Sequence, residues 1–70
     1  PDAALGTVQR FHALERALAR LPTEHREILL LREIEEMSYE NIAEVLDISL
    51  GTVKSRIARA RAGLLEKMPR

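Results

Sequence analysis

Two helix starts of the same local design lie eleven residues apart, and they constrain the fold more than any other feature of the sequence. At each start an apolar residue precedes a serine, and a second apolar residue follows that serine by four positions. The two sets are Met37-Ser38 with Ile42, and Ile48-Ser49 with Val53. Such a serine accepts a hydrogen bond from a first-turn N–H, and the two apolar side chains pack together beside it. The pattern predicts a short helix over residues 39–46 and a longer one over 50–66.

The segment between these two helices predicts a helix-turn-helix. The turn has three residues, Asp47-Ile48-Ser49, and the small Ala43 allows the second helix to cross close above the first. Aspartate tolerates the left-handed backbone that such a turn requires better than most residues do. The residues expected to hold the two helices together are Ile42, Ala43, Leu46, Ile48, Val53 and Ile57.

Two further helices are predicted upstream, over about residues 4–20 and 23–36, so the expected fold class is all-α with four helices. The Leu21-Pro22 step separates them, because the residue before a proline is pushed out of the helical region. Three glutamates crowd the end of the second helix, where the helix dipole disfavours them. They are Glu33, Glu35 and Glu36. The stripe of the first helix expected to face the core is Val8, Phe11, Leu14, Leu18 and Leu21.

Length and composition exclude several classes of protein. A chain of 70 residues without cysteine allows one small domain, residues 1–70, and no disulfide or thiolate metal site. It contains no run of 18 apolar residues, so we expect no insertion into a membrane. His12 and His25 fall on different helices without a carboxylate at metal-ligand spacing. We therefore expect no enzyme, catalytic residue, metal, cofactor or small-molecule substrate. Since the chain lacks an initiator methionine, we interpret it as part of a longer protein.

The formal net charge of zero conceals a sharp division of charge along the chain. Residues 1–48 carry five basic and ten acidic side chains, whereas residues 49–70 carry six basic side chains and one acidic side chain. The two parts have net charges of −5 and +5, and the sign changes at Ser49, where the last helix begins. A basic end of this kind is typical of a surface that binds nucleic acid.

The last helix presents a small, polar face opposite the side expected to meet the core. At about 100° per residue this outward face contains Gly51, Thr52, Ser55, Ala58, Arg59 and Ala62. Ser55 and Arg59 can contact base edges in a major groove, and Lys54 and Arg56, at the borders, can contact phosphates. Ser49 and the free N–H groups beside it suit a phosphate at the helix N-terminus. Gly51 has two explanations, close approach to DNA or tight packing on Ala43.

Three segments of the sequence resemble region 4 of bacterial sigma factors. They are Leu21-Pro22 with residues 26–33, residues 37–46 and residues 48–61. The run Gly-Thr-Val-Lys-Ser-Arg from Gly51, followed by Ala-Arg-Ala-Arg, is most similar to the extracytoplasmic-function (ECF) group. The resemblance covers about residues 21–66, and the first helix matches only in its apolar pattern. Asp47 departs from the glycine frequent in this turn, and Ala58 is smaller than the residue of some relatives.

The resemblance implies a DNA-binding domain that recognises the promoter −35 element and directs transcription initiation in the bacterial cytoplasm. It also implies docking on the flap of the RNA polymerase β subunit, through apolar surface of the first two helices, and regulation by an anti-sigma factor. By position, Lys54, Ser55, Ala58 and Arg59 fall where such domains face DNA, and Arg56 and Arg61 where they approach its backbone. The combined candidates are Thr52, Ser55, Ala58 and Arg59 for base edges, and Ser49, Lys54, Arg56 and Arg61 for phosphates.

Two other classes of protein remain open at this point. One is the C-terminal helix-turn-helix domain of a response-regulator-type transcription activator, and the other is a bundle that binds only proteins. The Leu21-Pro22 segment and the run from Gly51 favour the sigma factor over the activator. DNA binding would separate both of these from the protein-binding bundle.

Overall fold

The computed structural model describes the backbone of residues 2–68 and the side chains of residues 6–68, and this part of the chain contains four helices and no strand. Helix α1 spans Asp2–Ala19, α2 Thr23–Leu29, α3 Tyr39–Leu46 and α4 Leu50–Lys67, and α2 continues directly as a π-helical segment, Leu30–Ile34. The predicted all-α fold with four helices is confirmed. Pro1, Pro69 and Arg70 lie outside the described residues. Arg70 is one of the six basic side chains counted for residues 49–70.

The second helix ends differently from the prediction. Instead of running to residue 36, it widens into the π-helical segment and ends at Ile34. Two backbone hydrogen bonds of 3.1 Å close this end: the N–H of Glu35 donates to the Leu30 carbonyl, and the N–H of Met37 donates to the Leu31 carbonyl. Glu36, between the two donors, has a φ of 55°. These wider bonds satisfy carbonyls that a helix end leaves without partners. Two of the three crowded glutamates therefore lie in the terminating turn rather than in the helix.

The core lies where α4 packs against α2 and α3. Burying apolar side chains at such a crossing is the main favourable contribution to folding in a domain of this size. The helix-turn-helix and the end of α2 thus share one core, which fixes the position of α4. Its buried members are Leu21, Ile28, Leu29, Ile42, Val53, Ile57 and Ala60.

Helix α1 turns a different face inward from the one predicted. Ala13 and Ala17 are 7% and 1% exposed, whereas Val8 and Phe11 are 49% and 57% exposed. Leu14 and Leu18 are half-buried, and of the predicted stripe only Leu21 is buried. Small side chains let α1 approach α4 closely, and so the buried face is the alanine face rather than the bulky stripe beside it.

Candidate nucleic-acid interface

Both helices of the helix-turn-helix begin at the predicted serine caps. Ser38 Oγ accepts a hydrogen bond from the N–H of Asn41 at 3.0 Å, and Ser49 Oγ accepts one from the N–H of Thr52 at 3.1 Å. Asp47 has a φ of 54° and a ψ of 51°, so the predicted left-handed turn is confirmed. The turn and the two caps together set the direction in which α4 leaves α3.

One apolar cluster holds α3 across α4. Ile42, Val53 and Ile57 are fully buried in it. Ala43, Leu46 and Ile48 are partly buried and pack against it. All six residues assigned to this role from the sequence therefore lie in or against the same cluster. The cluster occupies one side of α4 and leaves the outward face to solvent.

The outward face of α4 is accessible, and its polar groups are partly engaged with their own helix. Ser55, Ala58 and Arg59 are exposed, and Thr52 is half-buried. The Ser55 hydroxyl donates to the Thr52 carbonyl at 3.2 Å, and the hydroxyls of Thr52 and Ser49 lie 2.8 Å apart. Among the described residues no side chain pairs with Arg59. Arg59 is thus the long side chain of this face that is available to a ligand.

Gly51 does not pack on Ala43. Beyond its chain neighbours and the adjacent backbone of its own helix, a Cβ built at Gly51 would meet no atom within 4 Å, Ala43 included, so the packing explanation for this glycine is wrong. The residue lies in the first turn of α4, next to the Ser49 cap, and is exposed. Close approach of DNA to the helix backbone at Gly51 stays a prediction.

The four phosphate candidates differ in their surroundings. Lys54 is exposed and has no ion-pair partner within the described part, whereas Arg56 Nη2 lies 3.7 Å from Glu24 Oε2. Arg61 donates from Nε and Nη2 to Glu33 Oε1, at 3.1 and 2.6 Å. The hydrogen bond to Glu33 raises the pKa of the Arg61 guanidinium above its ordinary value, against an opposing effect of desolvation. The exposed Ser49 is the fourth candidate and forms the cap described above.

Arg32 connects the end of α2 to the start of α3, a role that the sequence did not reveal. Its Nη1 donates to the Met37 carbonyl at 2.8 Å, and its guanidinium carbon lies 4.7 Å from the centre of the Tyr39 ring. A cation over an aromatic ring is attracted by the ring quadrupole. This contact helps to fix the helix-turn-helix relative to α2, and no local pattern of residues 32–39 indicates it.

An apolar groove lies between α1 and the π-helical segment. We define it by Phe11, Leu14, Leu18, Leu30 and Ile34. Ile34 is 70% exposed, and Phe11 and Leu30 are also exposed. The Glu33–Arg61 ion pair borders one end of the groove. A contiguous apolar surface of this kind on a small protein is typical of an interaction site.

The described residues contain no cluster of acidic or histidine side chains suited to a metal ion. His12 instead pairs with Glu15 on α1, with 3.0 Å between Nδ1 and Oε1. In the same part of the chain, every helix is too short or too polar to cross a membrane.

Two helices followed by a capped helix-turn-helix, with a basic last helix, have a counterpart among known families. The model of the family described as "Sigma-70, region 4" matches residues 11–64. The chain belongs to this family. The match includes α3, the turn, α4 as far as Leu64 and all eight candidate residues for DNA contact, and it decides against the response-regulator alternative.

Several bacterial sigma factors are similar to this region 4 chain. The RNA polymerase sigma factor YlaC of Bacillus subtilis is 38% identical over 68 residues, which are 97% of this chain and 39% of the relative. The ECF RNA polymerase sigma factor SigW of Bacillus subtilis is 32% identical over 68 residues, 97% of this chain and 36% of the relative. The ECF RNA polymerase sigma-E factor of Haemophilus influenzae is 48% identical over 48 residues, 69% of this chain and 25% of the relative.

These relatives place the chain among region 4 domains of ECF sigma factors. The chain spans between 25% and 39% of the length of these three curated relatives.

Proposed function

We propose that the chain is the DNA-binding domain of a bacterial ECF sigma factor and recognises the promoter −35 element. The observation that carries this proposal is the outward face of α4, which is exposed, small and polar and is bordered by cations. A helix of this shape fits the major groove, where side chains meet base edges and the flanking cations meet phosphates. The names of the relatives, all RNA polymerase sigma factors, support a promoter as the DNA.

Within this proposal the residues of α4 divide into two roles. Arg59 reaches a base edge, with Thr52, Ser55 and Ala58 forming the surface that closes on the groove. Lys54 and Arg56 contact phosphates from the borders of the outward face, and Ser49 and the N-terminus of α4 approach another phosphate. Arg61, the remaining phosphate candidate, reaches a phosphate only when Glu33 does not hold it. The function is recognition rather than catalysis, and it takes place in the bacterial cytoplasm.

A titration with labelled duplex DNA tests the proposal. Duplexes that bind would first be enriched from a randomised pool, and fluorescence anisotropy would then compare the enriched sequence with a scrambled one. We expect weak binding with preference for the enriched sequence, and log affinity that falls by about 0.9 per log unit of salt for each phosphate contacted. No binding of either duplex at about 50 mM salt would reject DNA recognition, since electrostatic attraction is strong there.

We also propose that the apolar groove receives the flap of the RNA polymerase β subunit. Its apolar side chains lie side by side in a cleft between two helices, and a segment with an apolar face can bury them. An anti-sigma factor that silences the protein would act by covering either this groove or the outward face of α4. The groove lies between α1 and the π-helical segment, away from the outward face of α4, so the polymerase and the DNA would bind to separate surfaces.

A further inference from the structure

Arg61 lies on the same edge of α4 as Lys54. The two residues are seven positions apart, which places them about 20° apart around the helix and about 10 Å apart along it. Lys54 has no ion-pair partner within residues 6–68, whereas Arg61 is held by Glu33. These two cations thus project from the same edge of α4, but only Arg61 is already paired with an acidic side chain of the protein.

The contact between Arg61 and Glu33 is the tightest ion pair between two helices in the described part of the chain. Two guanidinium nitrogens donate to a single Glu33 oxygen at 3.1 and 2.6 Å, and both side chains are about half exposed. The pair between Arg56 and Glu24 is looser, with 3.7 Å between the atoms and a Glu24 side chain that is 71% exposed. A phosphate displaces the looser carboxylate more easily than the tighter one.

The π-helical segment holds Glu33 in this position. Arg32, its neighbour in the chain, is fixed by the Met37 carbonyl and by the Tyr39 ring. The recess around the pair is lined by Arg32, Glu33, Glu36 and Arg61, so its charged groups are two cations and two carboxylates. The backbone of Glu33 therefore belongs to a helical segment that is anchored through Arg32, and this places the Glu33 carboxylate within reach of Arg61.

We propose that Glu33 competes with DNA for Arg61 and thereby limits the number of phosphates that α4 neutralises. Glu33 is a positioning residue in this sense, since it acts on DNA only through Arg61. The inference rests on the proposed DNA binding and deepens it. Affinity for phosphates does not depend on the DNA sequence. Keeping Arg61 from a phosphate therefore lowers non-specific binding, and the base contacts contribute a larger share of the binding free energy.

The salt dependence of DNA binding in a double-mutant cycle tests the inference. The variants are Glu33→Gln, Arg61→Ala and the double variant, each titrated with the enriched and the scrambled duplex. We expect Glu33→Gln to steepen the salt slope by about 0.9 and to strengthen binding to both duplexes several-fold at low salt. Arg61→Ala alone should leave the slope unchanged, and in the Glu33→Gln background it should restore the slope of the unaltered protein.

Glu35→Gln is the matched control, because Glu35 is exposed, lies beside the same segment and has no ion-pair partner in the described part. It makes the same change in net charge, and it should leave the salt slope unchanged. Glu33→Ala, which removes the acceptor altogether, should repeat the result of Glu33→Gln. Circular dichroism melts would show that each variant is folded at the temperature of the titration.

Two results would overturn this inference alone. One is a salt slope of Glu33→Gln that equals the salt slope of Glu35→Gln. The other is a salt slope that falls by about 0.9 in the single Arg61→Ala variant, because this would mean that Arg61 already contacts DNA in the unaltered protein. Failure of the unaltered protein to bind any duplex would instead reject the proposed function, and this inference with it.

Discussion

Arg59 and Lys54 lie on one helix, yet their positions predict different contributions to binding. Arg59 is on the outward face, beside Ser55 and Ala58, whereas Lys54 is at its border. A contact to a base edge distinguishes sequences, and a contact to a phosphate strengthens binding to all of them. The difference between the two roles can be measured with single substitutions.

Arg59→Ala should relax discrimination at one base pair by about 1–3 kcal/mol, because it removes the contact that reads that pair. The measurement is a set of anisotropy titrations with duplexes in which each base pair of the enriched site is changed in turn. Lys54→Ala is the control, since Lys54 is expected to contact a phosphate rather than a base edge. It should weaken all duplexes alike and reduce the salt slope by about one. Equal weakening of every duplex by Arg59→Ala would show that Arg59 contacts only the backbone.

Single residues also show what local sequence can reveal. The caps at Ser38 and Ser49 and the turn at Asp47 were predictable, because each depends on neighbours within four residues. The partners of Arg56 and Arg61 were not, since Glu24 and Glu33 are 32 and 28 positions away along the chain. Arg61 is placed by position among the phosphate candidates, and its engagement by Glu33 is visible only in the folded chain.

Among the helices, α2 shows that the charge pattern predicts roughly where a helix ends but not the geometry of its last turns. The crowded glutamates indicate that the helix ends near residue 36, but not that its last five residues are π-helical. Glu36 adopts a left-handed backbone that glycine or asparagine normally provides. Nothing local predicts this, and the packing of Leu29 in the core and of Met37 against it determines the path of the chain.

The first turn of α4 provides a prediction at the same scale. Gly51→Ala should stabilise the protein by about 0.5–1 kcal/mol, because alanine loses less backbone entropy in a helix and its Cβ meets no neighbour. It should weaken DNA binding by about fivefold, or about 1 kcal/mol, if the helix backbone closely approaches DNA at this point. Urea unfolding and anisotropy titrations measure the two effects.

Gly6→Ala is the matched control for this substitution. Gly6 lies in α1, and a Cβ there also meets nothing within 4 Å. It should therefore stabilise the protein by a similar amount without any change in DNA affinity. Unchanged DNA binding in Gly51→Ala would contradict the close approach and leave this glycine without a role at the interface.

On the scale of the whole molecule, the neutral net charge separates into two ends with different surfaces. The basic residues concentrate on α4, and the acidic ones on the helices before it. The apolar groove lies between α1 and the π-helical segment, and the outward face lies on α4. Under the proposed function, these two separate surfaces would bind a nucleic acid and a protein.

Ile34→Lys tests the second of these surfaces. Ile34 is 70% exposed in the groove, so lysine can replace it without burying a charge. We expect at least a tenfold loss of affinity for an isolated polymerase β-flap, which corresponds to about 1.4 kcal/mol, because an apolar contact becomes a desolvated cation. Calorimetric titration measures this affinity.

Leu65→Lys is the control for the flap experiment. Leu65 is 72% exposed on α4 and does not line the groove, so the same change of side chain should leave flap binding intact. Equal losses in both variants would indicate a general effect of charge. An unaffected Ile34→Lys variant would show that the flap binds elsewhere.

The helical class, the helix-turn-helix with its caps and turn, and the concentration of positive charge on the last helix were all predictable from the order of the residues. These features depend on periodicity and on contacts within one or two turns. Three features depend on how the helices pack together: the face of α1 that is buried, the carboxylates that pair with Arg56 and Arg61, and the groove that stays open beside Phe11. Alanine and leucine are both apolar, so periodicity could not choose between adjacent faces, whereas the close approach of α1 to α4 admitted only the smaller side chains, Ala13 and Ala17.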